Sequence, residues 1–508
     1  MYGDRGHIGL TSRLMAVGAC TIALLGACST SSSEHAGGTA SKRPKPSPSK
    51  HDVRRPATNL SSWRACYGEF RCSTLTVPVD YSRAAGPKIG LAVIAHRAES
   101  PRGGVLFTNP GGPGASGVDQ VRNNLQLWPS LAQRFDLVSF DPRGSGRSAA
   151  VDCFSGAQMD AYFKLQPVPQ TEQDMNRLAA ADRRYVHACE AHTGLLLRFV
   201  SGAEQARDIE SLRRALGVRR ISYLGFSYGT YLGAAYAASY DRHLRAAVLD
   251  GDVPPDKTPF QFTLGQVRGF EQNLDLFLDY CRNISSCPYR AHSGSDADIL
   301  ALLKRLERKP MTVGSREVTV NEAYYAFGAY LYSKQVWPLL AQALAAADQG
   351  NGAGLLQGFD SYMERDQSGR YGSIFDSYNA TICEDHRWPR SPETYSTWAR
   401  KLADRYPVFG AQFAYSSLFC AFWPKPHPAE VDLSGVRAPI LLVGATQDPA
   451  SPYSDTVHLH DQLRSSTVLT RVGPGHTSYA ASACVRQAVD DFLIALKKPS
   501  PGEKCPTD

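Results

Sequence analysis

Three observations predict an α/β fold: a mainly parallel sheet that carries a mostly helical insertion. Short apolar runs recur along the chain, each closing in a glycine-rich or polar turn, which is how buried parallel strands read. One of them leads straight into Gly225-Phe226-Ser227-Tyr228-Gly229 and then a helical pattern of small residues. Between residues of about 255 and 430 the strand signal disappears and helical spacing replaces it.

The elements follow in chain order. Residues 104–108 are an apolar strand that opens into Asn109-Pro110-Gly111-Gly112-Pro113-Gly114. Residues 135–140 form the next, ending in Asp141-Pro142-Arg143-Gly144-Ser145-Gly146-Arg147-Ser148. Residues 220–224 deliver Ser227, and residues 246–249 deliver Asp250 and Asp252. After the helical block, residues 438–444 lead to Asp448, and residues 466–472 lead to Gly473-Pro474-Gly475-His476-Thr477. Within the block, apolar residues recur at helical spacing over 270–280, 323–344 and 394–403. Domain limits follow: 1–27 leader, 28–59 tether, 60–254 and 431–508 core, 255–430 helical cap or lid.

The turns carry the chemistry. Gly-x-Ser-x-Gly between strand and helix is the context of a nucleophile elbow, where tight backbone excludes bulk on either side of the serine. A serine hydroxyl is a weak nucleophile until an imidazole takes its proton, and that imidazole needs a carboxylate to set its tautomer. Ser227, Asp448 and His476 stand in the order of an α/β-hydrolase triad. Asp250 and Asp252 are rival acids. Asp448 is preferred because its strand lies directly before the one delivering His476. Ser451 stands three residues after Asp448 and is placed to bond its carboxylate or the local backbone. The glycine-rich loop suits an oxyanion hole, with donors expected from Tyr228 and from Gly111 or Gly112. Phosphate binding is disfavoured because no Gly-Lys-Ser/Thr follows. Asp141 and Arg143 are expected to brace the floor of the site through an Asp–Arg interaction.

Asn-Pro-Gly-Gly-Pro-Gly, Asp-Pro-Arg-Gly-Ser-Gly-Arg-Ser, Gly-Phe-Ser-Tyr-Gly-Thr and Gly-His-Thr together resemble the secreted bacterial tripeptidyl aminopeptidases. These belong to the prolyl-aminopeptidase branch of the α/β-hydrolases, which also holds envelope-anchored serine proteases. The resemblance runs from about Cys66 to Cys484 and implies Ser227 as nucleophile, Asp448 as acid and His476 as base. Two positions depart from the family pattern. Asn109-Pro110 stands where prolyl aminopeptidases carry histidine, and Asp448-Pro449-Ala450-Ser451-Pro452 replaces the commoner Asp-Pro-Val-Thr-Pro.

Compartment is legible at the N-terminus. Arg5 and Arg13 precede an apolar run over 14–27 that is too short to span a membrane and suits a signal peptide. Its end, Leu25-Gly26-Ala27-Cys28, resembles a lipobox, which would place a lipid on Cys28 and hold the protein on the outer face of the cell membrane. A plain secretory signal is the competing reading. The Ser/Pro/Lys-rich stretch that follows cannot bury a core. Residues 1–56 hold eight Lys/Arg against three Asp/Glu, a net of +5 out of +7 for the whole chain. The remaining +2 argues against nucleic acid as a partner of the folded part.

Of twelve cysteines, ten remain once Cys20 and Cys28 are set aside. An even number in an exported chain suggests disulfides. Close spacing suggests Cys66–Cys72 and Cys281–Cys287, and sequence order would add Cys153–Cys189, Cys383–Cys420 and Cys484–Cys505. No zinc signature occurs, and the chemistry needs neither metal nor organic cofactor.

The expected activity is a serine exopeptidase that removes short N-terminal peptides, tripeptides by the resemblance, through an acyl-enzyme. Its partners would be peptides or proteins with a free N-terminus. Glu384 and Asp385 are the sequence candidates for binding that amine, and Tyr324, Tyr325, Tyr330, Tyr332, Phe375, Tyr378, Trp388 and Trp423 supply aromatics to the same block. A carboxylesterase, a lipase, an endopeptidase and a non-catalytic peptide-binding lipoprotein are the alternatives.

Overall fold

A computed structural model describes residues 59–100, 103–289, 295–426 and 428–508. The leader, nearly all of the tether and the lipidation candidate Cys28 lie outside the described residues. The described residues form twelve strands: β1 Arg64–Cys66, β2 Phe70–Pro78, β3 Lys88–His96, β4 Gly104–Asn109, β5 Phe135–Phe140, β6 Ile221–Phe226, β7 Leu244–Asp250, β8 Met311–Val313, β9 Arg316–Val318, β10 Ile440–Gln447, β11 Ser466–Pro474 and β12 Lys504–Pro506.

Ten of them form one sheet in the order β1-β2-β3-β5-β4-β6-β7-β10-β11-β12. β1, β2, β3 and β5 pair antiparallel in turn, and every pairing from β5 through β12 is parallel. The chain runs outward from β4 to β5, then returns to place β6 on the other side of β4. That reversal opens a crevice at the strands' C-terminal ends, where α/β sheets hold their sites.

Side-chain alternation sends the sheet's two faces into separate cores. Leu106, Leu224, Val248, Leu441 and Val443 pack with Val118, Leu131, Val489 and Phe492 on one face. Their chain neighbours Phe107, Tyr223, Leu249 and Leu442 pack with Ile209, Leu212, Leu232 and Leu459 on the other. The central strands are therefore apolar throughout, as strands covered on both faces must be. Burying each such side chain contributes about 1.5–3 kcal/mol.

A third core belongs to the helices. It joins residues between Val151 and Val200 to residues between Val267 and Trp423, so the helical layer draws on two stretches of chain. The helix expected over 270–280 is part of Pro259–Asn283, and that over 394–403 part of Pro392–Ala403. The pattern over 323–344 divides into Val320–Leu331 and Trp337–Asp348. Ser333 takes an extended backbone there, and Pro338, which has no N–H to donate, stands in the first turn of the second helix. The strands missed in the sequence are the antiparallel β1–β3, the β8–β9 pair and β12, all short, edge-lying or more exposed.

Among the described residues five disulfides form, in the pairing suggested by spacing and order: Cys66–Cys72, Cys153–Cys189, Cys281–Cys287, Cys383–Cys420 and Cys484–Cys505.

Two buried acids cross-link the helical layer. Asp182 accepts Tyr162 Oη at 2.7 Å, and Asp376 accepts Tyr185 Oη at 2.7 Å and Cys153 N at 3.0 Å. Burial raises each carboxyl to about 7, against the hydrogen bonds. The folded state therefore binds more protons than the unfolded chain between the ordinary carboxyl range and about 7. This contribution is fully present below about pH 4 and is lost as pH rises to about 7. Melting temperature should therefore fall from pH 5 to pH 8, and Asp182→Asn should flatten that slope; a slope unchanged by the substitution would refute the account.

Candidate active site

Ser227 caps the helix Tyr228–Tyr240 with φ 54° and ψ −127°, a backbone that only a tight turn demands of a non-glycine residue. Glycines on either side make the turn fit. A Cβ on Gly225 would lie 2.4 Å from Gly229 O, and one on Gly229 would lie 2.7 Å from Asn109 O. The Ser227 N–H donates to Asp250 O at 2.9 Å, which ties the elbow to the end of β7. Thr230 Oγ1 donates to Ser227 O at 2.6 Å and accepts Val253 N at 2.8 Å. Ser227 itself is half-buried.

His476 and Asp448 meet as the sequence leads one to expect. His476 Nδ1 lies 2.8 Å from Asp448 Oδ1 and 3.0 Å from Oδ2, with both residues buried. Two carboxylate oxygens facing Nδ1 set the tautomer with its proton there, leaving Nε2 as the basic nitrogen. Asp448 also accepts N–H groups from Ala450, Ser451 and Thr477. Ser451 Oγ lies 3.3 Å from His476 Nδ1, so the hydroxyl reaches the imidazole while the Ser451 N–H holds the carboxylate. From the helical layer, Tyr332 O accepts His476 N at 2.7 Å and the Tyr332 ring meets the imidazole edge-on at 5.3 Å.

Of the rival acids, Asp250 reaches the backbone beyond His476. Its carboxylate accepts Ser478 N at 2.9 Å and Tyr479 N at 2.8 Å. Burial pushes this carboxyl up to about 6 in spite of those bonds. Asp250 thus holds the elbow through its carbonyl and the histidine loop through its side chain. A Cβ on the next residue, Gly251, would lie 3.4 Å from His476 Cε1, which fixes how closely the two loops approach. Among the described residues the His476 ring bonds Asp448 and Ser451, and no hydrogen bond joins Ser227 Oγ to it. Asp252 is fully buried, neither of its oxygens has a hydrogen-bond partner among the described residues, and burial holds it well above the usual carboxyl range.

Arg471, which no sequence signal marks, grips the same loop from the opposite side. Its buried guanidinium donates to the carbonyls of Pro474, Gly475 and Thr477 and to Ser478 Oγ and Thr507 Oγ1.

The glycine loop packs directly on the elbow. A Cβ on Gly111 would lie 2.3 Å from Phe226 O and 2.9 Å from Tyr228 N. Gly111 N donates to Asn109 Oδ1 at 2.9 Å, so that donor is already engaged. Gly112 has φ +105° and precedes a cis peptide bond to Pro113. Tyr228 is the first residue of its helix, and its N–H has no acceptor within that helix.

The expected Asp141–Arg143 pair does not form. Arg143 turns away to Asp208, donating through Nε and Nη2 at 2.7 Å each, and to the carbonyls of Pro78, Val79 and Phe199. Asp141 instead accepts Ser116 Oγ, Val118 N and Arg147 N, and Arg147 Nη1 lies 3.5 Å away. Sequence proximity suggested the wrong arginine, because β2 and the helix Gly202–Ala215 supply nearer acceptors to Arg143.

Glu384 and Asp385 are sealed at 3% and 5% exposure. Glu384 Oε1 accepts Trp423 Nε1 at 2.7 Å. Asp385 accepts Gly202 N at 2.8 Å and the hydroxyl of Tyr228, the residue after Ser227. Burial raises both carboxyls to about 7.

Comparison with known proteins places this geometry. The family profile described as "alpha/beta hydrolase fold" matches residues 104–306, and that described as "TAP-like protein" matches residues 406–505, the stretch holding Asp448 and His476. Serine protease Hip1 of Mycobacterium tuberculosis is 33% identical over 457 residues, covering 86% of this chain and 88% of that protein. Tripeptidyl aminopeptidase of Streptomyces lividans is 30% identical, covering 85% and 84%. Carboxylesterase B of Mycobacterium tuberculosis is 33% identical over 473 residues, covering 87% and 89%.

The bridge through Asp250 can be tested chemically. Asp250→Asn keeps the shape but weakens the acceptor, and should slow fluorophosphonate labelling of Ser227 by about 10- to 100-fold, the loss of one or two charge-assisted hydrogen bonds. A labelling rate equal to wild type would show that the two loops hold their spacing without it.

Proposed function

The chain belongs to the α/β-hydrolase family of these serine protease and tripeptidyl aminopeptidase relatives, and on that premise we propose that it is a serine exopeptidase releasing short N-terminal peptides. The observation that carries the reading is the Asp448–His476 contact of 2.8 Å beside the Ser227 elbow. Ser227 attacks the scissile carbonyl while His476 Nε2 takes its proton. Asp448 holds the imidazole and favours its cationic form. The tetrahedral oxyanion meets the N–H groups of Tyr228 and Gly112, with Gly111 lining the hole. Collapse breaks the C–N bond, His476 protonates the leaving amine, and an acyl-enzyme remains. Water, deprotonated by His476, then frees the N-terminal fragment and restores Ser227.

The helical residues within 255–430 act as a cap over this site. Tyr332 reaches His476, Asp385 reaches Tyr228, and Ile374 Cδ1 lies 3.4 Å from the Cβ position of Gly112. A cap that touches each part of the machinery can enclose a short peptide end and exclude a long chain. The similarity to carboxylesterase B supports a second reading, ester hydrolysis by the same triad. Esters are the easier substrates, because alkoxide leaves more readily than amine.

Export fits the five disulfides, which persist in oxidising compartments. Among the described residues no helix is long and apolar enough to cross a membrane. A lipid on Cys28 would then provide the anchor, with the basic tether near anionic headgroups.

A tripeptide 4-nitroanilide with a free amine should be cleaved, its N-acetyl form at least about 100-fold more slowly, and neither by Ser227→Ala. Equal rates on the two peptides, or faster cleavage of short acyl esters alone, would favour the esterase. In cells fed a labelled fatty acid, Cys28→Ala should lose the label and leave the membrane fraction; a labelled Cys28→Ala protein would refute the anchor.

A further inference from the structure

A peptidase that requires a free N-terminus must meet an α-ammonium in its cleft, and that charge needs a carboxylate with capacity to spare. Glu384 and Asp385 would first have to surrender Trp423, Tyr228 and Gly202, and both are closed off from solvent. A different carboxylate stands open beside the site. Resting on the exopeptidase reading, we propose that Glu364 binds the substrate's free α-ammonium group.

Glu364 lies in the segment that connects the two sides of the cleft. Just before it, the Tyr362 ring lies 6.1 Å from Tyr332, whose ring meets His476. Just after it, Gly372 N donates to Glu364 O at 3.0 Å, and Ile374 abuts Gly112 of the glycine loop. A Cβ on Gly372 would lie 2.0 Å from Glu364 Oε2, so the glycine leaves the space that the carboxylate occupies. The segment therefore runs from the neighbour of Tyr332 to the glycine loop, and Glu364 lies on it.

Every other acid around this turn has a basic partner. Asp360 pairs with Arg316 at 2.6 Å, Asp366 with Arg370 at 2.9 Å, and Asp160 with Arg365 at 3.0 Å. Among the described residues, Glu364 has no hydrogen bond or ion pair to its carboxylate, although the residue is exposed. The charged groups that act on it are Asp119, Asp141 and Arg147, and Arg147 is held in a two-pronged pair by Asp119 at 2.8 Å. Glu364, Asp119 and Asp141 stand against the guanidiniums of Arg147 and Arg122, both held by Asp119, which leaves this corner net negative. Partial desolvation where the carboxylate packs on Gly372, together with Asp119 and Asp141, raises the Glu364 carboxyl above its ordinary value, and a bound cation would reverse that.

Reach agrees with release of short peptides. Three extended residues span about 10 Å, so the anchor for a tripeptide's amine belongs one layer beyond the oxyanion loop. Glu364 sits behind Gly372, itself two residues before the Ile374 that meets Gly112, whereas Asp385 bonds Tyr228 of the elbow itself.

The test compares full-length wild type, Glu364→Gln, Glu364→Ala and Glu384→Gln on a tripeptide 4-nitroanilide and its N-acetyl form, with fluorophosphonate labelling as the measure of an intact triad. Both Glu364 variants should label at the wild-type rate and lose about 10- to 100-fold in kcat/KM on the free-amine peptide alone, mostly through KM. If wild type prefers the free amine and the Glu364 variants keep that preference, Glu364 is not the anchor; its loss in Glu384→Gln alone would return the role to the buried pair. Equal wild-type cleavage of both peptides would overturn the exopeptidase reading and the anchor with it.

Discussion

Asp250 accepts the N–H groups of Ser478 and Tyr479 on its carboxylate while its carbonyl accepts the N–H of Ser227. One residue at the end of β7 thereby sets the spacing between the elbow and the loop bearing His476. These loops come from chain segments about 250 residues apart, and neither has enough local structure to find the other. Arg471 completes the grip by drawing the carbonyls of the histidine loop toward itself. The loop is thus pulled at its N–H groups by a buried acid and at its carbonyls by a buried base. Such pairs are costly to desolvate, and their return here is position rather than bulk stability.

The same economy governs the elbow. Its left-handed serine is unfavourable alone, and it persists because Gly225, Gly229 and Gly111 let three backbone segments pack where any Cβ would collide. Strain at Ser227 is carried by neighbours that cannot relax without opening the sheet.

The helical layer is continuous with the site rather than laid over it. Tyr332 fixes His476 through a backbone bond, Asp385 reaches the side chain of Tyr228, and Ile374 abuts Gly112 of the glycine loop. The layer is thereby tied to the imidazole, to Tyr228 and to the glycine loop at once.

The α/β class and the positions of Ser227, Asp448 and His476 were legible in the sequence, because each follows an apolar strand and strand ends converge at one rim of a parallel sheet. Close spacing pointed to Cys66–Cys72 and Cys281–Cys287, whereas the pairing of the other six cysteines was one of many that sequence allows, and the fold decided it. Tertiary structure alone decided the rest. It gave Arg143 to Asp208 rather than Asp141, engaged the Gly111 N–H with Asn109, turned Asp250 from rival acid into the link between loops, buried Glu384 and Asp385 against Trp423 and Tyr228, and left the Glu364 carboxylate without a partner among the described residues. Periodicity encodes which face of an element is buried, but a polar side chain's partner depends on which distant backbone arrives beside it, and no local pattern carries that.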